Sequence, residues 1–180
     1  MSIESLENGP FSIEIAHPQD AAAIAHVRNE TWLATYPNEE AGITKEDILT
    51  KAFESEEQVA RWRKNIEDTT GTRALWVAKT ASGMIVGYSQ GKRSEAVNEI
   101  WGLYVLPAYH GKGLGGILLK TALDWLGEEK PVTLSVASYS LSAIALYKKF
   151  GFTIEPGVGA GPWFASGASI PSLSMVRPRR

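Results

Sequence analysis

The residues with the most chemical potential lie between Leu103 and Gly116, in the run Leu-Tyr-Val-Leu-Pro-Ala-Tyr-His-Gly-Lys-Gly-Leu-Gly-Gly. Gly111, Gly113, Gly115 and Gly116 place four glycines in six residues, between a strand-like segment and an amphipathic stretch of helical period. Such a run exposes successive backbone N–H groups at a helix N-terminus, where the helix dipole favours an anion, and Lys112 adds a cation. A phosphate cradle is the chemistry this pattern predicts. Gly111, Gly113 and Gly116 also satisfy G-x-G-x-x-G, but the loop does not follow its strand at once, and the next strand-like run, 132–137, carries no acid for a ribose. No Gly-Lys-Ser/Thr follows, which excludes a nucleotide loop of the Walker type. Gly87-Tyr-Ser-Gln-Gly91 matches the hydrolase pattern G-x-S-x-G, yet no helix follows it and the only later histidine, His110, lies in the glycine loop.

Period and punctuation supply the elements that position these residues. Residues 11–16 alternate as a strand, and 18–36 form an alanine-rich amphipathic helix stopped by Pro37. Residues 45–66 read as helical with a break near Ser55. Residues 74–78 and 84–88 form a hairpin about Ser82-Gly83, and a third strand spans 97–105. Strand then alternates with helix: 114–126 helical, 132–137 strand, 141–150 helical, 152–155 strand. Residues 156–171 read as a long loop, 173–176 as a last strand, and Arg177, Arg179 and Arg180 as a solvated tail. The predicted fold class is α/β (α+β): one domain over 1–180, with a central mixed, mostly antiparallel sheet of about seven strands and helices on both faces.

Strict period two along 97–105 puts Val97, Glu99, Trp101, Leu103 and Val105 on one face, so Glu99 is expected as a buried carboxylate on an apolar row. A carboxylate in that setting is a usable base for an ammonium group near neutral pH. Tyr147 shares a helical face with Ala143, Leu146 and Phe150, which is the pattern of a core aromatic.

Two motifs together resemble the GNAT N-acetyltransferase superfamily. Its acetyl-CoA loop reads Gln/Arg-x-x-Gly-x-Gly/Ala after a strand ending in a Val-x-Pro-like turn; here Val105-Leu-Pro107 precedes His110-Gly-Lys-Gly113-Leu-Gly115, with His110 in place of Gln or Arg. The second, Asn-x-x-Ala-x-x-Leu-Tyr-x-x-x-Gly-Phe, reads here Ser140-Leu-Ser-Ala143-Ile-Ala-Leu146-Tyr147-Lys-Lys-Phe-Gly151-Phe152, with Ser140 in place of Asn and expected to cap its helix. The resemblance is strongest over 97–152. It implies acetyl-CoA as cofactor, held by His110, Gly111, Lys112, Gly113, Leu114, Gly115, Gly116 and Ser140, with the strand-edge backbone of Leu103, Tyr104 and Val105 pairing with the pantetheine amides. It implies Glu99, eleven residues before His110, as general base, and Tyr147 as the acid that protonates the departing thiolate; phenol and thiol have similar reference pKa values.

The implied reaction moves acetyl to a primary amine of a small molecule or peptide, and a non-catalytic acyl-CoA-binding sensor or interaction module is the alternative. For the acceptor, Trp32, Tyr36, Trp101 and Trp163, with Glu39 and Glu40, are expected to supply an aromatic and acidic wall for a cationic amine. With Cys 0, direct amine attack in a ternary complex is favoured over an acyl-enzyme, and disulfides and thiolate metal sites are excluded. His17 and His26 lack ligand-spaced partners, so no metal is expected.

Composition agrees with one ordinary globular domain: 180 residues, 44% hydrophobic and 21% charged. A net charge of −2 gives no general attraction for nucleic acid or an anionic membrane, and no apolar run reaches bilayer length. The start, Met1 to Pro10, carries Glu4 and Glu7 without an apolar core, so a cytoplasmic location is expected, with a homodimer left open.

Overall fold

The computed structural model describes residues 10–67, 71–157 and 159–179; the expectations for Glu4, Glu7 and Arg180 fall outside them. The elements are β1 Phe11–Ile15, α1 Ala21–Thr35, α2 Lys45–Leu49, α3 Glu56–Glu67, β2 Arg73–Thr80, β3 Ile85–Lys92, β4 Asn98–Val105, α4 Leu114–Leu126, β5 Val132–Ala137, α5 Leu141–Lys149, β6 Thr153–Ile154, β7 Gly159–Trp163 and β8 Ser169–Arg177. They build an 8-stranded mixed sheet in the order β1-β2-β3-β4-β5-β8-β6, with β7 also on β8. Among the described residues β4 with β5 is the one parallel pair, and the other pairs are antiparallel. No helix among the described residues is long and apolar enough to cross a membrane.

Alternation along β2 assigns the two faces. Trp76 and Ala78 point to a cluster with Leu118, Leu119 and Ala122 of α4 and with Tyr147 and Phe152, whereas Leu75 and Val77 point to Ile24 and Val27 of α1 and Trp62 of α3. In α4 the buried residues Leu114, Leu118, Leu119, Ala122, Leu123 and Leu126 form one helical stripe, and burying that stripe on the sheet makes the helix stable. Ser89, fully buried in β3, donates to the Leu118 carbonyl at 3.1 Å, so it is a mid-strand tie between sheet and α4 and no nucleophile elbow.

Two expectations are corrected here. The segment 156–171 is no plain loop, because β7 pairs antiparallel with an extended β8. Arg177 is no tail residue: it lies in β8, only 11% exposed, and its Nη2 donates to Glu128 Oε1 at 3.1 Å.

The feature that creates the site is local. β4 and β5 pair only at Asn98↔Val132 and Glu99↔Thr133, after which the strands part while β4 stays on β3 and β5 on β8. Asn98 sits at that closed end, 2% exposed, with Nδ2 donating to the Leu126 carbonyl at 3.1 Å and Oδ1 accepting from the Ser94 N–H at 3.2 Å. Removing the amide leaves buried backbone groups without partners. Asn98→Ala is therefore expected to lower unfolding free energy by about 1–3 kcal/mol. Urea denaturation checks this, and an unchanged midpoint would show that the junction does not depend on Asn98.

Candidate active site

β4 carries one extra residue. Gln90 pairs with Gly102 and Gly91 with Ile100, leaving Trp101 as the bulged position. The bulge reverses the strand's phase: Ile100 packs into the same cluster as Leu103 and Val105, and Tyr104 turns to the α1/α3 side. Glu99 therefore does not share a face with Leu103 and Val105, and this corrects the expectation of a buried carboxylate on an apolar row. Its side chain is 37% exposed, with Oε1 3.4 Å from Lys92 Nζ and Oε2 accepting from Trp101 Nε1 at 2.8 Å.

Past the last β4–β5 pair the strands enclose a cavity of about 780 Å³, lined by Ile100 to Val105 on one side and Leu134 to Ala137 on the other. Gly111 and Gly113 to Gly116 line its rim, and Tyr147, Ser140 and Tyr36 line it as well. Gly113 is the N-cap of α4 with φ 81° and no side-chain cap, and the first intrahelical bond runs from the Ile117 N–H to the Gly113 carbonyl. The N–H groups of Leu114, Gly115 and Gly116 precede that bond and are free for an anion. Gly111 (φ 75°) and Gly113 hold the left-handed turns that aim them. At Gly115 the reason for glycine is different, because a Cβ there would meet Leu146 Cδ2 of α5 at 3.3 Å.

His110 lines the rim, and its Nε2 sits 2.7 Å from the Val105 carbonyl. A ring N–H donated there ties the loop back to the end of β4, which also engages one of the strand-edge carbonyls expected to face pantetheine. Lys112 is exposed and lies over the Tyr109 ring at 4.8 Å, beside the cavity rather than in its lining. Ser140 occupies the N-cap position of α5 but makes no side-chain cap, correcting the expected capping bond.

Tyr147 is 7% exposed and borders the cavity. Burial, then the neighbouring Tyr104 phenol, pushes its pKa up, so it holds its proton well beyond neutral pH. Tyr36 is raised in the same way, by burial first and then by Tyr104. Tyr139, which sequence reasoning passed over, donates its hydroxyl to the Tyr36 carbonyl at 2.9 Å and joins the end of α1 to the β5–α5 turn.

The expected aromatic and acidic wall does not assemble. Trp32 is a core residue, 4% exposed, stacked edge-on with Tyr36 and Phe53. Trp163 is 63% exposed and lines neither cavity, while Glu39 and Glu40 face solvent. Trp101 does border the cavity and is flanked by Arg73 and Lys92, 4.8 and 4.7 Å from its ring. A second cavity, of about 370 Å³, lies on the α1/α3 side and shares Trp101, Gly102 and Tyr104 with the first.

Residues 23–152 match the acetyltransferase (GNAT) family, and the chain belongs to that family. Mycothiol acetyltransferase of Corynebacterium efficiens is 29% identical over 146 residues, covering 67% of this chain and 49% of that protein; the chain spans about half the length of this curated relative. Among solved structures, the PaiA N-acetyltransferase of Thermoplasma acidophilum in complex with coenzyme A superposes with TM-score 0.71 at 20% identity, covering 93% of this chain and 98% of that one. YncA, a putative acetyltransferase of Salmonella typhimurium with acetyl-CoA, gives 0.67 at 22% identity, covering 94% of each chain. Both likenesses are of fold.

The left-handed N-cap generates a direct test of the cradle. At Gly113 a Cβ meets nothing within 4 Å, but Gly113→Val strains the left-handed backbone that aims the α4 N–H groups. Calorimetric titration of the folded variant should give coenzyme A affinity at least about tenfold weaker, or roughly 1.4 kcal/mol. Unchanged affinity would remove the loop from the binding site.

Proposed function

We propose that this protein transfers an acetyl group from acetyl-CoA to a primary amine by direct attack in a ternary complex. One observation carries the reading: parted strand edges and an uncapped helix N-terminus open into the same cavity. The α4 N–H groups fit a pyrophosphate, and the β4 edge fits the amides of a pantetheine arm laid between the strands. Acetyl-CoA supplies the activated acyl group as a thioester.

In the transfer the amine nitrogen bonds to the thioester carbonyl carbon and the C–S bond breaks. Tyr147 gives its phenolic proton to the leaving sulfur and regains one from solvent. Its raised pKa keeps it in the donor form across the working range, so the basic limb of a rate profile does not come from Tyr147. The chain contains no cysteine, which favours a single displacement. Among the described residues no Asp or Glu lines either cavity, so the ammonium proton leaves through water. Glu99, joined to the site through the Trp101 indole, is the acceptor we assign to that relay.

Thiol release from acetyl-CoA across a panel of primary amines tests the reaction, and its absence with every amine would overturn it. Tyr147→Phe keeps the ring and its packing but loses the proton. Its kcat should fall about 10² with coenzyme A affinity and Tm nearly unchanged, whereas a rate within about threefold of wild type would make water the donor. Glu99→Gln should lower kcat/KM on the acidic side and recover partly at high pH, where more free amine exists without help. A profile parallel to wild type would remove Glu99 from the relay.

A further inference from the structure

The second cavity is built to hold negative charge. Among the described residues its lining carries Arg28, Lys51 and Arg61 and no carboxylate. Arg61 is compensated by Glu57, whose Oε1 lies 3.2 Å from its Nη2, but among the described residues neither Arg28 nor Lys51 has an ion-pair partner. Lys51 donates to the Trp163 carbonyl at 2.6 Å, a neutral partner.

Arg28 is the informative residue. Its guanidinium carbon lies 5.2 Å from the Trp32 ring centroid, 4.6 Å from Phe53 and 5.8 Å from Trp62. Its Nε is buried without a hydrogen-bond partner. Three rings fix the plane of the group and strip water from part of it, yet a guanidinium cannot shed its charge. A planar, pre-oriented, unpaired cation of this kind matches a carboxylate or another oxyanion, to which it can donate two parallel hydrogen bonds. Gln58, Asn65 and the buried Gln90 add amide donors around the same space.

We infer that the acetyl acceptor is a small amine that also carries an oxyanion, of amino-acid size and character. The oxyanion seats on Arg28 with Lys51 beside it, and the amine points toward Trp101, Gly102 and Tyr104, where the two cavities meet. The volume of about 370 Å³ is at the small end for ligand sites, which suits such a molecule and excludes a folded protein surface inside it. This inference rests on the acetyl-transfer reading and replaces the expected acidic wall for a cation with its electrostatic opposite.

The test uses acceptor pairs that differ in the charge of one group: L-methionine and L-phenylalanine against their α-carboxamides, with spermidine as an amine lacking any acid. Wild type should turn over at least one free acid with kcat/KM ten or more times, in order of magnitude, above its amide and above spermidine. Arg28→Gln should erase that preference, Arg28→Lys should restore part of it, and Lys51→Gln, in the same cavity but not one of the groups stacked around Arg28, should weaken it while Tm stays near wild type. Amides or spermidine used as well as the acids, or a preference that survives in folded Arg28→Gln, would overturn the inference. If no amine releases thiol, acetyl transfer fails as a reading. Calorimetric titration of the coenzyme A complex with the same acids and amides then decides the charge preference: tighter binding of an acid, lost in Arg28→Gln, supports it, and equal or absent binding rejects it.

Discussion

The parting of β4 from β5 is the constraint on which the rest of the structure depends. Two residue pairs of parallel ladder join the strands, and beyond them both edges run on with no strand between among the described residues. Backbone N–H and C=O groups inside a sheet are costly to leave unpaired, so such an opening persists only where the strands are held from outside and something else can bond the exposed edges. β3 holds β4, β8 holds β5, and Asn98 locks the closed end to α4. The α4 N-terminus then stands over the open end.

The bulge at Trp101 does the second half of the work. By reversing the phase of β4 it sends Leu103 and Val105 toward the α4 side and Tyr104 toward α1 and α3. One short strand thus presents an edge to the larger cavity and a face to the smaller one. Tyrosines gather at that junction: burial raises the pKa of Tyr36, Tyr88 and Tyr147, and Tyr104 adds to each of those shifts. Neutral phenols can give and receive hydrogen bonds there without placing a charge at the junction of the two cavities.

Much of this was legible in the sequence, for identifiable reasons. The glycines of 111–116 marked the turn into a helix N-terminus because Gly111 and Gly113 hold left-handed φ values there, and α4 and β5 matched their predicted limits because their apolar periods are clean. Glu99 was misplaced because period two assumes an unbroken ladder, and a bulge is invisible to that count. β7 was missed because its Gly and Pro content reads as loop while its pairing partner lies across a turn. The aromatic and acidic wall did not assemble, because Trp32 is taken up in the core and Trp163 lines neither cavity. Ile24, Arg28 and Trp32 stand at spacing four along α1, and a lone arginine on that apolar row was the available signal for a cation packed among rings with its Nε buried.

Hydrogen exchange with and without coenzyme A tests the central claim most directly, because it reads the unpaired strand edges themselves. The parted-strand account predicts that the ligand slows exchange at the first N–H groups of α4, at 114–116, and along the facing edges at 100–105 and 134–137, while β1 and β2 are unaffected. Protection confined to other elements, or none at the α4 N-terminus and the β4 edge, would contradict it.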